Sequence, residues 1–304
     1  MTSKPIIVGT DGSGDSLRAV EWAAREAALR QAPLQVVCVP ALPPRMSWHQ
    51  PPGRLDAVAE AGYESYACAL AAASERASEL EPELAIETRL LFGPPARTLA
   101  DTTVDASMLV VGARGAGLFS ALVLGSASRY AATHGRCPVV VERQGLAHGQ
   151  GEIVVGVGDL DQSDASLGFA FEEADMRGAR LVVMHAWSCF VPAAEPGNRL
   201  AGPERAVTNS GHHLYRGMAA RLEDMLAGWR EEYPAVETRT EIMHAHPGHL
   251  LAQASKHADL VVLGRQPSQT GGSGAGSVIH AVLHHACGPV AVVAGLTSGA
   301  GSDQ

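Results

Sequence analysis

The chain repeats itself. Gly9 and Leu34 recur as Gly156 and Leu181, Pro95 and Leu99 as Pro247 and Leu251, and Pro138 as Pro289, each about 150 residues later. The offset drifts by a few residues, which places the length changes in surface connections, where insertions are tolerated. A chain of 304 residues made of two like halves has to fold as two like units, each of ordinary domain size. Any difference in what the halves do must then lie in residues that fail to recur.

Within the first half, residues 4–8, 34–39, 85–92, 108–111 and 138–141 are short runs, mostly apolar and bounded by turn residues, as expected of buried parallel strands. Helical stretches lie between them, at about 15–31, 55–80, 96–104 and 125–135. The first is expected to be capped by Asp15 or Ser16 and to bury Ala19, Trp22, Ala23, Ala27 and Leu29. Residues 41–53 carry four prolines and read as a long irregular loop of the kind that serves as a lid or binding segment. Strands alternating with helices imply right-handed crossovers and parallel pairing. The predicted fold class is α/β, with two tandem doubly wound domains, each a five-stranded parallel sheet with helices on both faces. The first domain spans 1–144 and the second 152–296, joined by a glycine-rich linker at 145–151; the Gly/Ser-rich tail 297–304 reads as disordered.

The strand at 108–111 runs into a loop with Gly112, Gly115 and Gly117, and Gly125-Ser126 then opens a helix. Glycines at a strand's carboxyl end let the backbone turn sharply and let N–H groups approach a ligand without a Cβ in the way. A helix start adds free N–H donors and the positive end of a dipole, which suits an anion such as phosphate. This is neither a P-loop, since no G-x4-G-K-[ST] occurs, nor a dinucleotide fingerprint, since Ser120 stands where the third glycine would fall. Asp11, just past the first strand, is either an acceptor for a ligand hydroxyl or amine or a turn residue closing on its own backbone. Arg114 is the one cation read beside the loop, too little for the phosphate clamp that phosphoryl transfer requires.

The spacing G-x2-G-x9-G-[ST] over Gly112, Gly115 and Gly125-Ser126 resembles the ATP-binding signature of the universal stress protein family. Ile6 to Ser13 resembles that family's first strand and turn, and His134 to Val139 its passage into the last strand. The chain is thus similar to the tandem, actinobacterial-like members, and the resemblance covers nearly all of it. It implies a Rossmann-like fold of the adenine nucleotide alpha hydrolase-like kind, and a regulatory ATP-binding protein, not an enzyme, acting in stress or growth arrest. It further implies ATP, accompanied by Mg²⁺, with Gly9, Thr10, Asp11 and Val39 around the adenosine moiety. Gly112, Arg114, Gly115, Gly125, Ser126 and Ala127 would lie around ribose and phosphates.

The second half departs from this pattern. Gly158 takes the position of Asp11, with Asp159 following, and Pro267, which has no N–H, stands where the second loop glycine belongs. Gly156, Asp159, Gly264, Gly276 and Ser277 are its weaker candidates, with Gly271, Gly272 and Gly274 keeping an anion nest open. His280 and His284 share a helix face, but with His244, His246 and His249 they complete no zinc pattern, so surface or boundary roles are expected and no metal site. Trp187 and Trp229 read as core or inter-domain contacts.

A net charge of −9 argues against a nucleic-acid partner. Five scattered cysteines, Cys38, Cys68, Cys137, Cys189 and Cys287, form no disulfide framework. No apolar run approaches a membrane span and no secretory leader opens the chain, so a cytoplasmic protein is expected. Two rival readings remain: a slow ATPase or adenylyl-transfer enzyme, and an interaction scaffold that binds no nucleotide. For the scaffold, the strands near 139–142 and 290–293 would lie at sheet edges and pair with each other, as an intramolecular domain pair, or with another chain in a homodimer.

Overall fold

The computed structural model describes residues 3–40, 54–115, 124–143, 150–158, 163–187, 203–265 and 275–295, with side chains of 54–63, 187, 203–214 and 275–276 outside that description. The proline-rich loop 41–53, most of the linker, the tail 297–304, Gly117, Asp159, Pro267, Gly271, Gly272 and Gly274 also lie outside it.

The first half runs β1 (Ile6–Thr10), α1 (Gly14–Leu29), β2 (Leu34–Cys38), α2 (Arg54–Leu80), β3 (Ile86–Leu90), α3 (Pro95–Thr102), β4 (Met108–Gly112), α4 (Ser126–His134) and β5 (Val139–Glu142). The second repeats it as β6 (Glu152–Gly156), α5 (Asp164–Arg177), β7 (Arg180–Trp187), α6 (Pro203–Glu232), β8 (Thr238–His244), α7 (Pro247–Ala254), β9 (Leu260–Arg265), α8 (Ala275–His285) and β10 (Val290–Ala294). Strands form because their β-branched residues are covered on both faces: β1, β2 and β4 are buried throughout. Pro95 and Pro247 each occupy the first turn of a helix, where a missing N–H is harmless. The expected cap of α1 is displaced by a few residues. Ser13, not Asp15 or Ser16, accepts from the Ser16 N–H, because Asp11 and Gly12 already turn the chain.

Each half is parallel with strand order 3-2-1-4-5 or its repeat, but the two sheets are not separate. β5 and β10 pair antiparallel, Val141 opposite Val290 and Val139 opposite Val292, giving one ten-stranded sheet ordered β3-β2-β1-β4-β5-β10-β9-β6-β7-β8. The terminal strands thus pair with each other inside the chain, and β3 and β8 are the free edges. One core, under α1, α2, α5 and α6, and another, under α3, α4, α7 and α8, each run across both halves. Trp229 packs on Phe171 at 5.9 Å between ring centroids, a core contact as expected. Cys38 and Cys137 are buried thiols, pushed by that burial up to about 11 and about 12.

The seam also carries polar ties that obey the pseudo-symmetry. Arg30, capping α1, binds Glu26 of its own helix and Glu173 of α5; Arg177 at the end of α5 binds Glu173 and Glu26. Arg30 further stacks on Phe169 and Arg177 on Trp22, at 5.6 and 5.9 Å. Both carboxylates are essentially excluded from solvent, 1% and 0% exposed. Arg143, just past β5, donates to carbonyls in the last turn of α8, and Arg265, ending β9, donates to the Gly135 carbonyl that closes α4. Each half thus caps a helix of the other.

Candidate functional site

In a 3-2-1-4-5 sheet the chain direction of travel reverses between β1 and β4, and ligands bind in the crevice this opens at the strands' carboxyl ends. The turn after β1 is fastened by its own side chains. Asp11 Oδ1 accepts the Ser13 N–H at 3.0 Å, Ser16 Oγ accepts the Asp11 N–H at 3.3 Å, and the Thr10 and Ser16 hydroxyls lie 3.2 Å apart. Gly12 at φ +79° takes the left-handed conformation that closes the turn.

The glycines of the second crevice wall are forced by close approach. A Cβ at Gly112 would stand 2.7 Å from the Asp15 carbonyl carbon, so β4 ends against the first turn of α1. One at Gly115 would stand 2.5 Å from Asp11 Oδ2, so the loop backbone lies directly on the carboxylate. The start of α4 is tied to this loop: Gly125 N–H donates to Ala113 O at 2.8 Å, and Ser128 Oγ to Gly112 O at 2.6 Å. The helix ladder begins only with Arg129 N–H to Gly125 O, leaving the amides of Ser126, Ala127 and Ser128 ahead of it at the positive helix end.

Between these walls lies a cavity of about 690 Å³. All ten first-half candidates line it: Gly9, Thr10, Asp11, Val39, Gly112, Arg114, Gly115, Gly125, Ser126 and Ala127. One side is apolar, with Val39, Leu99, Val111 and Leu124; the other carries the loop amides and Arg114. Asp15 holds Arg114 in a two-point contact, 2.7 Å to Nε and 3.3 Å to Nη2, and also binds Arg18. Burial pushes the Asp15 carboxyl upward, but hydrogen bonds and charge from Arg114 and Arg18 outweigh it and hold the group below the usual carboxylate range. Sequence reading missed Ser16, Tyr66 and Arg129. Arg129 corrects the view of Arg114 as the one nearby cation: it lines the cavity from the first turn of α4.

The second half keeps the packing of this site but not its polar groups. Gly156 lies against Leu251 as Gly9 does against Leu99, and Gly264 against Ser166 as Gly112 does against Asp15 and Ser16. Gly158, however, is exposed with nothing within 4 Å of its would-be Cβ, so among the described residues the place of Asp11 carries no carboxylate. His185, following the strand residue that pairs with Gly156, is buried with Nδ1 2.9 Å from Val157 O. Gly276 sits inside α8, where Gly125 precedes α4, and Ser277 is exposed. Among the described residues no group of three or more His, Cys, Asp or Glu is placed to hold a metal.

Glu142 ends β5 opposite Gly112 and is buried with Oε2 unpartnered among the described residues. Burial pushes its carboxyl up to about 8, against the pull of Arg18 and Arg25. Between its ordinary value of 4.5 and about 8 the folded chain keeps a proton that the unfolded chain has lost. Stability therefore falls as pH rises through that window, by up to about 1.4 kcal/mol per pH unit. Urea midpoints from pH 5 to 9 are expected to decline in the wild type and to be flatter, and higher at pH 8, in Glu142→Gln. Equal slopes in the two proteins would refute the assignment.

The sequence profile of the universal stress protein family matches the chain twice, over residues 2–143 and 151–294. A universal stress protein of Mycolicibacterium smegmatis is 33% identical over 302 residues, covering 96% of this chain and 97% of that one. Another, of Mycobacterium tuberculosis, is 33% identical over 300 residues, covering 96% of each. The crystal structure of a universal stress protein from Archaeoglobus fulgidus superposes with a TM-score of 0.65 at 18% identity, covering 97% of this chain and 99% of that one, a likeness of fold.

Proposed function

The chain belongs to the universal stress protein family, and from that premise we propose that it is a regulatory protein that binds ATP in the first-half cavity. The observation that carries this is the convergence of two loops, far apart in sequence, on one cavity. The Asp11 carboxylate and the Gly115 backbone are in contact there, beside the amino end of α4. Asp11 and Val39 suit the adenosine part, as an acceptor and an apolar wall; Gly112, Gly115, Gly125, Ser126 and Arg114 suit ribose and phosphates. A volume of about 690 Å³ is ample for such a ligand. Mg²⁺ would enter with the phosphates, since among the described residues Asp11 is the one carboxylate lining the cavity. Among the described residues no general base is poised over the phosphate side, which favours binding over turnover as the function; occupancy would bias a conformational or assembly state.

One ATP per chain is the expected stoichiometry, because Gly158 leaves the second half without its acceptor. The test is to denature freshly purified protein, identify any released nucleotide, and titrate the stripped chain with ATP by calorimetry. Two per chain would assign a competent site to the second half. None would overturn the reading and leave the scaffold, which has lost one support, since β5 and β10 already occupy each other's edges.

A further inference from the structure

We propose that the second half of the chain completes the phosphate end of the first-half cavity, through a cationic shelf of Arg129, Arg143 and His284 that engages the terminal phosphates of a polyphosphate ligand. This rests on the reading of the cavity as a nucleotide site and specifies which phosphate chain it prefers.

The antiparallel pairing of β5 with β10 sets the end of α8 beside the carboxyl end of β5, the side on which the first-half cavity opens. Arg143 spans the seam there. Its guanidinium donates to the Leu283 carbonyl and, at 3.1 Å, to the His284 carbonyl. Arg129 lines the cavity itself. His280 and His284 lie tilted against each other on one face of α8 with ring centroids 4.3 Å apart, and the His285 ring lies 6.4 Å from that of His284.

Among the described residues, the groups that act on His284 are all basic. His280 and His285 act from its own helix, Arg143 from the end of β5 and Arg129 from α4; with burial as the largest influence, they hold the imidazole below its usual range. Burial lowers Arg143 too, and Arg114 of the cavity adds to that, against the pull of Cys287 and Asp15, so the charges of the cavity reach the seam. Among the described residues neither Arg129 nor Arg143 is paired with a carboxylate. In a chain of net charge −9, cations gathered beyond what Asp15 offsets oppose folding unless an anion joins them. A single phosphate held at Gly125 and Ser126 would meet only the loop. A chain of phosphates leading from there past Arg129 reaches groups that the second half supplies, and an anion beside His284 would favour its protonated form.

The test is calorimetric titration of the full chain with ATP, AMP and inorganic tripolyphosphate at pH 6.5, for the wild type, Arg129→Gln and His284→Gln, with thermal unfolding to verify that each variant is folded. Arg129→Gln is expected to weaken ATP and tripolyphosphate about tenfold, and His284→Gln about threefold, while AMP stays within about twofold. Equal losses for ATP and AMP, or no change in either variant, would overturn the shelf while leaving the nucleotide site in place. Binding of tripolyphosphate with the expected losses, but of no adenine nucleotide, would uphold the shelf and overturn the nucleotide reading.

Discussion

Glu173→Ala is expected to destabilise the chain by about 3–5 kcal/mol, the usual cost of removing one partner from a buried ion pair. Glu173 is wholly buried in a ring of four charges in which each guanidinium binds both carboxylates. Burial, then the Glu26 charge, pushes its carboxyl upward, and Arg177 and Arg30 oppose them. Burial disfavours the Arg30 cation, yet Glu173 and Glu26 hold it above its usual range. With Glu173 gone, Arg30 and Arg177 would share Glu26 alone, two cations over one anion in a medium that screens them poorly. Arg30 would also keep its exposed contact with Glu172 at 2.9 Å, a weak substitute. The comparison is Arg180→Ala, which breaks an exposed pair with Glu237, 43% and 71% exposed, and should cost less than about 1 kcal/mol. Urea unfolding at pH 7 reads both. Because the ring lies between the halves, Glu173→Ala should also separate one transition into two, one for each half. A loss no larger than that of Arg180→Ala would mean that the seam is held by β5, β10 and the continuous cores instead.

That ring was not legible in the sequence, and the reason is general. Glu26 with Arg30, and Glu173 with Arg177, read as ordinary i,i+4 surface pairs, and only pairing of the two halves brings the four together and buries them. The strands were legible because burial on both faces leaves a continuous apolar signature, as in Ile6–Thr10 and Met108–Gly112. The helix starts at Pro95 and Pro247 were legible because proline favours the first turn. Within the site, glycine spacing and Asp11 announced the two loops, since a backbone that must touch something permits little else. Tyr66 of α2 and Arg129 of α4 carried no such mark. A tyrosine in an alanine-rich helix and an arginine on an exposed helix turn say nothing of the cavity they face until the crossovers are built. Glu142 likewise read as a strand end, and its burial follows from the neighbouring strand and α1.

Gly115→Val is expected to weaken ATP binding by at least about 100-fold while changing stability by less than about 1 kcal/mol. The position is exposed, so no core is disturbed, but the new Cβ would fall 2.5 Å from Asp11 Oδ2. Loop and carboxylate cannot both keep their places, and the cavity is defined by their contact. The control is Gly217→Ala in α6, where nothing lies within 4 Å of the added carbon, and both binding and fold should be unaffected or the helix slightly firmer. The cause can be isolated by combining the substitution with Asp11→Gly, which removes the colliding atom. If the collision is the mechanism, Gly115→Val costs little further in that background, and the double variant binds as weakly as Asp11→Gly alone. Additive losses would instead mean that Gly115 serves through its own N–H or its flexibility, independently of Asp11. Undiminished ATP binding in Gly115→Val would place the nucleotide elsewhere, because no ligand could use this crevice with its two walls forced apart.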